Sequence, residues 1–169
     1  MQTEISRKKT LVKIRIAILF FMAALIVSGV TAFPIETELH WLIQHPGLIP
    51  LPINAFIHKV YEGVSNSNQT YPMLAYGYDW LAFAHIVIAM AFIGPLKDPV
   101  KNIWVMEWAM LACVAIIPLA FIAGPIRGIP FYWLCIDCSF GVFGIIPLWI
   151  VRRWTKQLSQ ISQPHPLSP

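Results

Sequence analysis

The sequence predicts an all-α, polytopic membrane protein, a four-transmembrane-helix bundle with short amphipathic helices in the outer segment between helices 1 and 2. Three observations predict it. The 169 residues are 57% hydrophobic and only 12% charged, with a mean hydropathy of +0.66, a balance far more apolar than that of a soluble domain. The apolar residues gather in four stretches, each close to the length needed to cross a bilayer. The lysines and arginines beside those stretches sort almost entirely to one side.

The first stretch, residues 14–33, follows a basic tail over 1–13. It is long for a signal-peptide core and lacks a small-x-small cleavage site before Pro34, so it reads as a retained span. The outer segment, 34–75, carries Ile53, Phe56, Ile57, Val60 and Tyr61 at helical spacing. A shorter apolar group, Leu39, Trp41, Leu42 and Ile43, precedes the breakers Pro46, Gly47, Pro50 and Pro52. These predict two short helices lying on the membrane surface or capping the bundle. The polar run from Ser65 to Thr70 reads as a loop, and its Asn68-Gln69-Thr70 triplet matches a glycosylation sequon.

The remaining spans are expected over 76–94, 102–123 and 129–151, with Gly94-Pro95 and Gly124-Pro125 ending the second and third. The transmembrane domain is then 14–156, and the Ser-, Gln- and Pro-rich residues 157–169 read as a disordered cytoplasmic tail.

Arg7, Lys8, Lys9, Lys13, Arg15, Lys97, Lys101, Arg152, Arg153 and Lys156 fall on one face, ten of the twelve basic side chains, leaving Lys59 and Arg127 on the other. The bias predicts a multi-pass protein of the cytoplasmic (inner) membrane with both termini in the cytoplasm. Basic residues placed this way beside apolar spans are membrane anchors, which excludes a nucleic-acid partner despite the net charge of +4. The expected partners are the lipid bilayer and a membrane-protein partner or a second copy of the chain.

Ionisable groups at bilayer depth are costly and face protein or water. Three qualify. At ~1.5 Å of rise per residue, His85 in the second span and Asp137 in the fourth lie roughly 13 and 12 Å from the outer end. Their shared level predicts a buried polar pair, an imidazole and a carboxylate that offset each other's desolvation. Asp137, Gly141 and Gly144 are spaced i, i+4, i+7, and Ala82 and Ala89 flank His85. Such small residues allow helices to approach closely. Glu107 lies near the cytoplasmic end, about 10 Å from the layer holding the other two. Asp79 and Arg127, both near the outer rim, are expected to latch the helix ends.

Cys135-Ile136-Asp137-Cys138 is a CxxC on the outer half of the fourth span. In a helix its thiols lie on adjacent turns of one face. This layout resembles the vitamin K epoxide reductase family, which has an inward N-terminus, four helices and a CxxC near the outer end of the last. The resemblance implies that Cys135 and Cys138 would be catalytic and pass electrons to a quinone. The outer segment 34–75 contains no cysteine, whereas the family carries a second pair there.

No cofactor is specified. His85 is the only histidine in a span, so a haem lacks a second axial ligand. A zinc or copper site from His85, Cys113, Asp137 and Cys138 would suit the ligands, although no spacing demands it.

The function expected from these residues is that of an accessory, binding or structural component of a membrane assembly. A thiol/quinone oxidoreductase is the alternative, and a small transporter or lipid-binding protein comes third.

Overall fold

The computed structural model describes residues 2–162 of the chain and the side chains of 4–160. Among the described residues the secondary structure is entirely helical: α1 (Gln2–Ala32), α2 (Ile35–Gln44), α3 (Leu51–Thr70), α4 (Ala75–Ala91), α5 (Ile93–Lys97), α6 (Ile103–Ile126) and α7 (Phe131–Ser162). Four helical segments are long and apolar enough to cross a membrane: Glu4–Ala32, Pro72–Lys97, Ile103–Ile126 and Phe131–Gln160. These match the four expected spans and have the length and composition that a multi-pass membrane protein requires.

The helices outrun the expected boundaries. The basic tail over 1–13 is helical from Gln2, where Glu4 and Lys8 form an i, i+4 pair at 3.6 Å. At the other end α7 continues to Ser162, so the expected disordered tail is helix over 157–162. Its remainder, 163–169, lies outside the described residues. Residues 65–70, expected as a loop, are instead the last turns of α3, which stops only where Pro72 pushes Tyr71 out of helical conformation. Gly124-Pro125 does not end the third span but forms the last turn of α6, and Pro95 sits inside α5. Pro118 and Pro147 leave α6 and α7 unbroken.

The chain divides into two compact units, residues 22–90 and the combination of 1–21 with 91–169. In the second of these, Ile14 and Ile18 of α1 are buried together with Phe92, Met106, Leu148 and Leu158, and the rings of Phe21 and Phe92 meet at 5.0 Å. Arg15 Nε donates to the Leu96 carbonyl at 3.2 Å. Asn102 Nδ2 closes the link from α5 to α6 by donating to the carbonyls of Asp98 and Gly94, at 2.9 and 3.1 Å. Between α6 and α7 the small residues do what their spacing suggests. A Cβ on Gly141 would stand 2.5 Å from the Cys113 carbonyl oxygen, and one on Gly144 would stand 3.1 Å from Cys113 Sγ.

In the 22–90 unit α1 and α4 approach through Gly29, where a Cβ would meet the Ala82 carbonyl oxygen at 2.6 Å and His85 Cβ at 3.0 Å. Ala82 and Ala89 are buried. Helices α2 and α3 are tied by His40 Nδ1 and the Tyr61 hydroxyl at 3.1 Å, and by Asn68 Nδ2 donating to Glu36 Oε2 at 2.6 Å. That bond occupies the sequon amide.

Candidate functional site

The turn between α6 and α7 is built by the sequence Gly124-Pro125-Ile126-Arg127-Gly128-Ile129. Gly128 takes a φ of +67°, which only glycine adopts without strain. This lets Gly128 N–H donate to Pro125 O at 3.1 Å and Ile129 N–H to Gly124 O at 3.0 Å. Those nested bonds form a Schellman cap, so the carbonyls that end α6 are satisfied inside the turn. Gly124 lies against Leu134 at the start of α7 so closely that a Cβ there would collide with the leucine side chain.

Beside this rigid turn lies a cavity of about 290 Å³. Its walls are apolar, among them Ile116, Leu119, Ala120 and Leu134, and two charged side chains line it, Arg127 and Asp137. Arg127, at the C-cap of α6, is exposed. Asp137, two turns into α7, is half-buried. Sequence reasoning singled out both residues but did not bring them to one cavity, because the signal is the tight turn and not a spacing. A pocket with so apolar a lining suits an apolar ligand body such as an acyl chain.

The three cysteines lie on α6 and α7. All three are free, with Cys135 exposed and Cys113 and Cys138 half-buried. Ser139, which follows Cys138, returns its hydroxyl to the Ile136 carbonyl at 2.6 Å. Among the described residues, no group of three or more His, Cys, Asp or Glu side chains is placed to hold a metal ion.

Glu107 has a partner that the sequence reading did not find. Arg152 directs Nε and Nη2 to Glu107 Oε1, both at 2.8 Å, joining α6 to α7. The signal was available: Glu107 lies near the cytoplasmic end of its span, and Arg152 is the first cation after the fourth.

His85 is half-buried in the 22–90 unit, where its Nδ1 pairs with the Leu81 carbonyl at 2.8 Å, one turn back on α4. Asp79 belongs to the same unit and is exposed on α4. Asp137 and Arg127 belong to the other unit.

Comparison with known proteins places none beside this chain: no family model matches it, and no characterised protein or solved structure is significantly similar.

Proposed function

We infer that the chain is a small multi-pass protein of the cytoplasmic membrane, with both termini in the cytoplasm, that acts as an accessory, binding or structural component of a membrane assembly. One observation carries the reading. The most apolar window of each candidate span is at most 22% buried within the chain, and large side chains such as Phe20, Leu119 and Phe143 are 72%, 65% and 71% exposed. Surface of this kind is covered by lipid or by other helices.

In this reading α2 and α3 lie as amphipathic helices at the outer surface, the four long helices form one bundle, and the Arg127–Asp137 cavity is the binding feature.

The test is the protein mass of the particle extracted from its own membrane in a mild maltoside detergent, by light scattering with subtraction of the detergent. A mass well above the 19.1 kDa of one chain is expected, from a partner or further copies. A particle of one chain at every detergent concentration overturns the assembly reading.

A further inference from the structure

We propose that a cavity between α1 and α7 holds an acyl chain of an anionic phospholipid, with the lipid phosphate on Lys13. The cavity has a volume of about 400 Å³ and is lined by Lys13, Ile16, Ala17 and Phe20 of α1 and by Pro147 and Trp154 of α7, room for part of one chain. The four α1 residues recur at i, i+3, i+4 and i+7, a single helix stripe. Ala17 and Pro147 have short side chains, which leaves a hollow between the two helices. Lys13 to Phe20 and Pro147 to Trp154 each cover about 10 Å of helix. The Phe21 ring lies 4.0 Å from a Cβ placed on Gly144, so the Phe20 end of the cavity meets the Pro147 end. Lys13 and Trp154 therefore share the other end, toward the chain termini. Both helices are apolar enough to cross a membrane, and a cavity running along them lies in the direction of an acyl chain.

Charge selects the occupant. Lys13 is exposed, Lys9 stands one turn earlier on the same stripe, and among the described residues neither is in an ion pair. No carboxylate lines the cavity. On the side of the termini the described carboxylates are Glu4, Asp98 and Glu107, and each is already paired, with Lys8 at 3.6 Å, Lys101 at 3.8 Å and Arg152 at 2.8 Å. A second copy of the chain therefore has no free carboxylate to bring to Lys13, whereas every phospholipid carries a phosphate at this level. Lysine suits that phosphate as a point charge, and basic pockets between helices on the cytoplasmic side select anionic headgroups. Trp154 adds an aromatic ring of the kind that settles at the headgroup boundary.

This inference rests on the reading of the chain as a multi-pass membrane protein with both termini on one side, and it does not require an assembly. The cavity shares no lining residue with the Arg127–Asp137 cavity.

Two measurements test it. Fractionation after an alkaline carbonate wash comes first, and recovery of the chain outside the membrane pellet overturns the membrane reading and this site with it. Native mass spectrometry of the full chain released from maltoside micelles follows, with titrations of phosphatidylglycerol, phosphatidylcholine of the same acyl chains, and glycerol phosphate. One saturable phosphatidylglycerol adduct is expected, at a concentration about fivefold below that of phosphatidylcholine, the factor that one cation near the membrane surface supplies. Phosphatidylcholine binding equally well overturns the charge recognition, and glycerol phosphate binding equally well overturns the acyl-chain cavity. Lys13→Gln is expected to bind the two lipids alike, while Lys101→Gln, the same loss of charge away from the cavity, is expected to keep the preference. A preference retained in Lys13→Gln, or lost in Lys101→Gln, overturns the assignment. Ala17→Phe, which fills the hollow, is expected to weaken both lipids several-fold, and unchanged binding overturns the cavity as their site.

Discussion

Gly141 is the position where one added methyl group tells most about how α6 and α7 meet. Its Cβ would lie 2.5 Å from the Cys113 carbonyl oxygen, against an ordinary contact of 3.4 Å or more. The obstacle is backbone, so no rotamer change relieves it, and Gly141→Ala must part the two helices by about 0.9 Å or tilt one of them. Overpacking of this kind costs about 1–3 kcal/mol, while replacing glycine inside a helix returns about 0.5–1 kcal/mol. The net expectation is a loss of up to about 2.5 kcal/mol. Gly63, in α3, provides the matched control, because nothing lies within 4 Å of a Cβ there. Gly63→Ala is expected to gain up to about 1 kcal/mol. The assay is unfolding of each variant by sodium dodecyl sulfate from maltoside micelles, followed by circular dichroism. A Gly141→Ala variant that gains stability as Gly63→Ala does would refute the close α6–α7 contact.

Three further outcomes are expected. Arg152→Met should lower stability in the same assay by about 0.5–1 kcal/mol, since the bond to Glu107 is well aligned but both side chains are partly exposed; Glu107→Gln should follow it, and the double variant should lose no more than either alone. The α2–α3 contact should weaken in acid. Glu36 has a lowered pKa when folded, so its contribution is complete above the unfolded carboxyl value and is lost as pH falls through the folded one. Amide exchange in α2 should show this loss, and Asn68→Ala should largely remove the pH dependence. Maleimide in mild detergent should modify Cys135, which is exposed, before Cys113 or Cys138. The same reagent after mild oxidation addresses the thiol/quinone alternative, which requires Cys135 and Cys138 to become protected together and to recover on reduction.

The four long helices were legible because a bilayer demands about 20 apolar residues in a row, and that signal needs no knowledge of tertiary contacts. Their ends were not. Polar residues such as Lys8, Lys9 and Gln157 are good helix formers, so a helix continues past the point where hydropathy falls. The turns over 65–70 were misread for a related reason. Gln69 and Ser65, like Thr70 and Asn66, form i, i+4 side-chain contacts at 3.4 Å, and Asn68 finds Glu36 from 32 residues earlier. Composition showed only a polar run.

At the candidate sites, residue types were readable and neighbours were not. Asp137 and Arg127 stood out as charges near lipid, and Gly141 and Gly144 as small residues on one stripe. What joins Arg127 and Asp137 at one cavity is the left-handed Gly128 and the cap it permits, a backbone geometry that spacing alone does not encode. The Glu107–Arg152 bond depends on the relative register of α6 and α7, which the sequence leaves open until the helices are packed.

The most direct test of the account is the sidedness of single cysteines in sealed cells, on a background with Cys113, Cys135 and Cys138 replaced by serine. Asn66→Cys, in α3, should react with a membrane-impermeant maleimide from outside. Ser159→Cys, near the end of α7, should react only after the membrane is opened. Labelling of Ser159→Cys in sealed cells, or of neither site before permeabilisation, would contradict four crossings with both termini in the cytoplasm.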